Sequence, residues 1–170
     1  MEHTVEDRVL ELLRGLDPMT ADRVLDTCRK KLREERYFRR LELPQTWQPV
    51  LRPGFSQYVV SDMGYVRLAS KRDTQVLRPS FSHDYARAPM SAPGRKGAAQ
   101  EMIHELVYES FVLFQPLPKQ PSKSRDEVVN HINGDKYDPC ISNLELTDQG
   151  KNLLHAYRIG LRSARPSYGT

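Results

Sequence analysis

The chain has little cysteine, no long apolar run and no strong excess of charge, and each shortage removes a class of answer. Its two cysteines, Cys28 and Cys140, stand far apart with no CxxC pair, which argues against a disulfide framework, a zinc knuckle or a thiol redox motif. No stretch approaches the roughly 20 consecutive apolar residues that a membrane span requires, so no membrane partner is expected. The opening residues, MEHTVEDRVLELL, mix acids into the apolar positions and show no basic region followed by a small-residue cleavage site. They do not read as a secretory signal, and the expected compartment is the cytoplasm, with both thiols reduced. At 170 residues, 38% hydrophobic and a mean hydropathy of −0.65, the chain has room for one compact domain with a small appendage.

The net charge of +4 is mild but unevenly placed. Residues 1–28 hold seven acids against three bases, a local −4; the rest holds 23 bases against 15 acids, a local +8, with runs at 29–40 and at Arg158, Arg162 and Arg165. That asymmetry fits a polyanionic partner, and equally a basic surface that is merely solvated.

Residues 4–15 place Val5, Val9, Leu12, Leu13 and Leu16 at helical spacing, and Leu16-Asp17-Pro18 ends the run. Thr20 is positioned to cap a second helix with the stripe Val24, Leu25, Cys28 and Leu32. Residues 1–40 thus read as a helical hairpin with one apolar face to bury, against the rest of the chain, a protein partner or a second copy. A helix-turn-helix DNA reader is the weaker reading, because the first helix is acidic. From 46 to 98 the pattern becomes a small antiparallel sheet, with strands at 47–51, 57–61, 65–69 and 75–78 and turns at Pro53-Gly54 and Asp62-Met63-Gly64. Residues 79–98, rich in Pro, Ser and basic residues, read as an exposed basic loop with at most a short strand, its Arg95 and Lys96 free to meet phosphates. Helical spacing returns over 99–114, followed by a linker at Pro116, Pro118 and Pro121.

Residues 126–160 read as strand, long loop, strand, helix: Val128-Val129 leads into Asn130-His131, Asn133-Gly134-Asp135 is turn chemistry, Leu144-Glu145-Leu146 returns, and Thr147 caps a helix from Asp148 to about Ile159. On that helix Asp148, Asn152 and His155 share a face that can meet Asn130 and His131.

This segment resembles the HNH endonucleases of the phage and intron-encoded homing type. The residues that carry the resemblance are Val129-Asn130-His131-Ile132-Asn133-Gly134-Asp135-Lys136, Asn143-Leu144-Glu145-Leu146 and Lys151-Asn152-Leu153-Leu154-His155-Ala156. Upstream, Ile103-His104-Glu105-Leu106-Val107 through Phe111 answers the H-x-L-V-x-x-x-F element of that family. Trp47 with Tyr58-Val59-Val60-Ser61 through Arg67 resembles its W…Y-x-V-S-x-x-G-x-V-R DNA-binding module. The resemblance covers about residues 46–160 and leaves 1–40 outside.

The resemblance implies an α+β chain: the helical hairpin, a small antiparallel sheet over 46–98, a ββα-metal HNH nuclease domain over 99–160, and a basic tail at 161–170. It implies a metal-dependent DNA endonuclease, in the cytoplasm of a bacterial host or encoded by its phage, acting on double-stranded DNA. His131 would be the general base and Asn143 the residue that ties the loop and orients it. Asn130 and Asn152 would hold one Mg²⁺ or Mn²⁺ ion per site. His155, Arg158, Arg162, Arg165, Arg95, Lys96 and Arg67 are the expected DNA contacts; His104 and Trp47 are expected to be structural. Many relatives carry Asp where this chain has Asn130. Two neutral carbonyl oxygens should bind metal weakly, so metal and DNA binding are expected to be coupled. The alternative is a DNA-binding regulator that keeps the fold with little or no cleavage.

Overall fold

The computed structural model describes residues 5–82, 85–117 and 127–161. The chain divides into two units, residues 1–38 and 39–170.

The first unit holds α1 (Val5–Arg14) and α2 (Pro18–Phe38). The cap of α2 is Asp17 and not Thr20: the Asp17 carboxylate accepts the Thr20 amide at 3.1 Å, with Pro18 at the first helical position. Hydrogen bonding from Thr20 holds that carboxyl below its usual range. The helix then runs through most of the basic stretch, ending at Phe38 before Arg39 and Arg40. The expected apolar stripes are only partly covered, since Val9, Leu12, Leu16, Val24 and Leu32 are exposed. Among the described residues no helix is long and apolar enough to cross a membrane.

The second unit carries three small antiparallel sheets. Strands β1 (Trp47–Pro49), β2 (Tyr58–Ser61) and β3 (Val66–Leu68) form the first in that order. The β2–β3 turn is closed by Ser61, whose Oγ accepts the Tyr65 amide at 3.0 Å. The strand expected at 75–78 does not form; that stretch runs beside β3 without joining the sheet, tied by the Leu77 amide to the Val66 carbonyl at 2.7 Å.

Residues 79–98 depart further from expectation. Strands β4 (Ser80–Ser82), β5 (Tyr85–Met90) and β6 (Ala99–Met102) build a second sheet in that order, leaving only 91–98 as loop. The period of two in β5 is carried by Ala86, Ala88 and Met90, all buried, and alanines contribute little to an apolar pattern. The helix expected over 99–114 starts late for the same reason: Ala99–Met102 pair with β5, and α3 (Ile103–Tyr108) follows, widening into a π turn over Glu109–Leu113 that stops at Phe114 in the left-handed region.

A buried arginine joins these pieces. Arg52, from the β1–β2 connection, donates to Glu109 at 2.8 and 2.9 Å, to Glu105 at 2.5 Å and to Glu101. Glu109, fully buried, also accepts the Leu117 amide at 2.9 Å. One guanidinium thus pins β6, α3 and the π turn to the first sheet.

The last elements are β7 (Glu127–His131), β8 (Leu144–Asp148) and α4 (Gln149–Arg158). Asp148, not Thr147, caps α4: its carboxylate accepts the Lys151 amide at 2.7 Å, which draws Asp148 out of the face expected to carry Asn152 and His155. α3 packs against β5, β7 and β8 and is the shared floor of the second sheet and the hairpin.

Candidate active site

The loop between β7 and β8 is long, and its backbone polar groups must be satisfied locally. Asn143 does most of this. Its Oδ1 accepts the Asn133 amide at 3.0 Å, and its Nδ2 donates to Asn133 Oδ1 at 3.0 Å and to the Asp138 carbonyl at 2.8 Å. The Ile132 amide returns to the Asn143 carbonyl at 2.8 Å. Outside the loop, Arg40 grips Asp138 at 2.8 Å and the Ile141 amide donates to the Asp62 carbonyl at 2.8 Å. Gly64, at φ +86°, lies so close to Pro139 that any Cβ would collide with that ring. The glycine of the upstream module is therefore the seat on which the loop rests.

The loop holds His131 at the end of β7. The ring is 3% exposed, and its Nε2 is buried with no hydrogen-bond partner among the described residues. Burial lowers its pKa to about 4, against an opposing pull from Asp135 and Asp138, so the imidazole is neutral at working pH. The packing makes it a weaker base that is unprotonated at neutral pH. Behind it, the His104 ring sits edge-on with centroids 4.9 Å apart, and Tyr85 lies 5.1 Å from His104 and 6.1 Å from His131. Burial, and then the nearby His131, holds His104 well below its ordinary value. It lies in the buried floor of the site.

Asn130 precedes His131 and sits opposite Glu145 in the hairpin register. Its Nδ2 donates to Glu145 Oε1 at 2.9 Å and lies 3.2 Å from His155 Nδ1. Asn130, His131, Lys136, Asn152 and His155 line one cleft of about 420 Å³. Asn152 and Tyr85 also border a neighbouring cleft of about 590 Å³ that takes in Arg87 and His104. The residues singled out on β7 and α4 thus converge.

Among the expected DNA contacts, Arg95 and Lys96 are exposed in the 91–98 loop and Arg158 is exposed in the last turn of α4. Arg162 and Arg165 lie outside the described residues. Arg67 is different: its guanidinium stacks 4.3 Å from the Trp47 ring centroid and donates to the carbonyls of Leu68, Ala69 and Lys71 and to Asp73. The structure turns it inward as the partner of Trp47.

Three residues of these clefts, and Glu145 beside Asn130, escaped sequence reading. Glu145 could have been found, since it faces Asn130 once the hairpin register is fixed. Lys136, whose Nζ stands 4.8 Å over the Tyr85 ring, lies inside the motif but signals nothing alone. Tyr85 and Arg87 reach the clefts through β5, a strand that the sequence does not announce.

The donor set has one clear feature: among the described residues no group of three or more His, Cys, Asp or Glu could hold a metal. Asn130 is largely buried but lines the cleft, and its Oδ1 has no hydrogen-bond partner among the described residues. Carbonyl oxygens of this kind fit a hard divalent ion whose remaining ligands come from substrate and water.

Comparison with known proteins agrees with this geometry. No family model matches the chain. An uncharacterized HNH endonuclease of Acanthamoeba polyphaga mimivirus is 33% identical over 112 residues, 66% of this chain and 26% of that protein. An SPbeta prophage-derived protein of Bacillus subtilis (strain 168), named as an HNH homing endonuclease, is 33% identical over 84 residues, 49% of this chain and 43% of its own. The chain thus spans between about a quarter and just under half the length of these curated relatives. In fold it is similar to the HNH homing endonuclease I-HmuI, solved in a study of DNA binding and cleavage by that enzyme, with a TM-score of 0.52, 21% identity, and coverage of 70% of this chain and 62% of that one. The motif residues, the hairpin-and-helix geometry and these relatives agree: the chain is similar in sequence to HNH endonucleases and shares the fold of an HNH homing endonuclease.

Proposed function

We propose that this chain is a divalent-metal-dependent DNA endonuclease that hydrolyses phosphodiester bonds with His131 as general base. The observation that carries the reading is the buried, unpartnered Nε2 of a neutral His131, on the same cleft as Asn130 and Asn152. A buried ring nitrogen without a partner is costly. Here it is ready to take a proton from a water aligned on a phosphate.

Each neighbour has a task. Asn143 closes the loop, so that His131 cannot swing away from β7. The aromatic floor of His104 and Tyr85 excludes water from behind the base. The Asn130 and Asn152 side-chain oxygens would hold one Mg²⁺ or Mn²⁺ ion, which when bound stabilises the leaving 3′ oxygen and the charge on phosphorus. Because these oxygens are neutral, such an ion would need DNA phosphate oxygens as further ligands, so that metal and DNA binding would be coupled. Arg95, Lys96 and Arg158, with the basic tail, contact the backbone of double-stranded DNA.

The test is conversion of supercoiled plasmid in Mg²⁺, Mn²⁺ or EDTA, beside His131→Ala. Nicking that needs metal and vanishes in the variant is expected. If both proteins shift the plasmid on a gel and neither cuts it, the chain is a DNA-binding relative that has lost cleavage, a reading that Asn130 in place of a carboxylate favours.

A further inference from the structure

The cation reading above leaves Asn130 with a difficulty, because a side-chain amide has two ends and only its oxygen binds a metal. Which end faces the cleft is set by its neighbours. We infer that Glu145 is the positioning residue that makes Asn130 a cation ligand, holding its NH2 group so that Oδ1 is presented to the cleft; the inference rests on the function proposed above.

Cross-strand register places Glu145 directly opposite Asn130, with Oε1 2.9 Å from Nδ2. On the other side His155 Nδ1 lies 3.2 Å from the same Nδ2. An ionised carboxylate can only accept hydrogen bonds, and a neutral imidazole accepts at the ring nitrogen that carries no proton. The two amide hydrogens therefore have one acceptor each. Turning the amide over would set Oδ1 against the Glu145 carboxylate, two acceptors face to face, and leave that carboxylate without its donor. The one remaining polar atom, Oδ1, is without a partner among the described residues, and Asn130 lines the cleft. Glu145 also places a negative charge beside a site whose nearest proposed ligands carry none, partly offsetting the missing carboxylate at position 130.

The test uses the full chain and Mn²⁺, whose free form is read by electron paramagnetic resonance, with and without supercoiled plasmid. Glu145→Gln keeps an acceptor and removes the charge; Glu145→Lys replaces the acceptor by a donor and should draw Oδ1 away from the cleft. Glu42→Lys, at an exposed acid of the same unit, matches the charge change of the second variant. We expect Glu145→Lys to bind Mn²⁺ about tenfold or more weakly than wild type, Glu145→Gln to fall between them, and Glu42→Lys to stay near wild type. The Mn²⁺ midpoint for nicking should move in the same order, with a smaller change at saturating metal. Midpoints that stay with the Glu42→Lys control, even alongside a lower melting temperature, overturn the inference and leave the proposed function standing. A wild-type chain that neither binds Mn²⁺ nor nicks overturns both.

Discussion

His131 and His104 lie face to edge in the same buried layer, and both are held neutral by burial. An unfolded histidine titrates near 6.5, so below that pH the unfolded chain takes up protons that the folded chain resists. The stability these rings contribute is fully present above about pH 6.5 and is lost as pH falls through about 4, the folded-state value for His131. For His131 alone the loss is about 2 kcal/mol at pH 5. A series of thermal melts should show Tm falling from pH 7 to pH 5, and less steeply in His104→Phe, which keeps a ring and removes one titrating group. A wild-type Tm that is flat over this range would contradict the buried placement. Asn143 offers a second test at this scale. Its replacement by Ala leaves the Asn133 amide and the Asp138 carbonyl without partners and should cost about 2–4 kcal/mol in urea unfolding, together with most of the cutting activity.

Among the elements, the joint between the β7–β8 loop and the end of α4 is tight. Gly134 has φ +72°, and a Cβ there would stand 2.5 Å from Ile159 Cδ1 and 3.0 Å from Leu161 Cδ1. Gly134→Ala is therefore expected to lower stability by about 1–2 kcal/mol through backbone strain and to lower nicking more than stability, because it shifts α4 relative to His131. Circular dichroism melts and plasmid nicking on one preparation would check both. Elements whose pattern is strong were legible from sequence: α1, α2, the β7–β8 hairpin and α4 all lie where periodicity put them, though both expected caps moved to the neighbouring aspartates, Asp17 and Asp148. β5 and β6 were not legible, because alanines fill their buried positions and prolines surround them. The site divides along the same line. Asn130, His131, Asn143, Asn152 and His155 share one motif-bearing stretch and meet as expected, whereas Tyr85 and Arg87 arrive on a strand without a pattern. Arg67 read as a DNA contact because nothing in sequence reveals that Trp47 lies under it.

For the molecule as a whole, the division into two units and the Arg52 cluster lead to opposite expectations. Residues 39–170 contain every group assigned to the cleft, so a chain lacking 1–38 should fold and still nick plasmid; if its choice of sites changes, the hairpin directs cutting through a partner or through DNA. An insoluble fragment would mean that the exposed apolar residues of α1 and α2 do not represent a separable unit. Arg52→Met should be far more damaging. It strands Glu101, Glu105 and Glu109 without their cation and should cost about 3–5 kcal/mol, seen as loss of a cooperative urea transition. The cleft itself has a two-part origin. Its reactive groups come from one unbroken stretch, residues 127–158, while its aromatic back wall comes from β5 and α3. Moved into another protein, that stretch would carry its own hydrogen-bonded loop but not the rings that keep His131 dry and neutral. The hairpin and helix are thus a transplantable cassette only together with an aromatic backing, and a graft without one would present a solvated histidine titrating near its ordinary value.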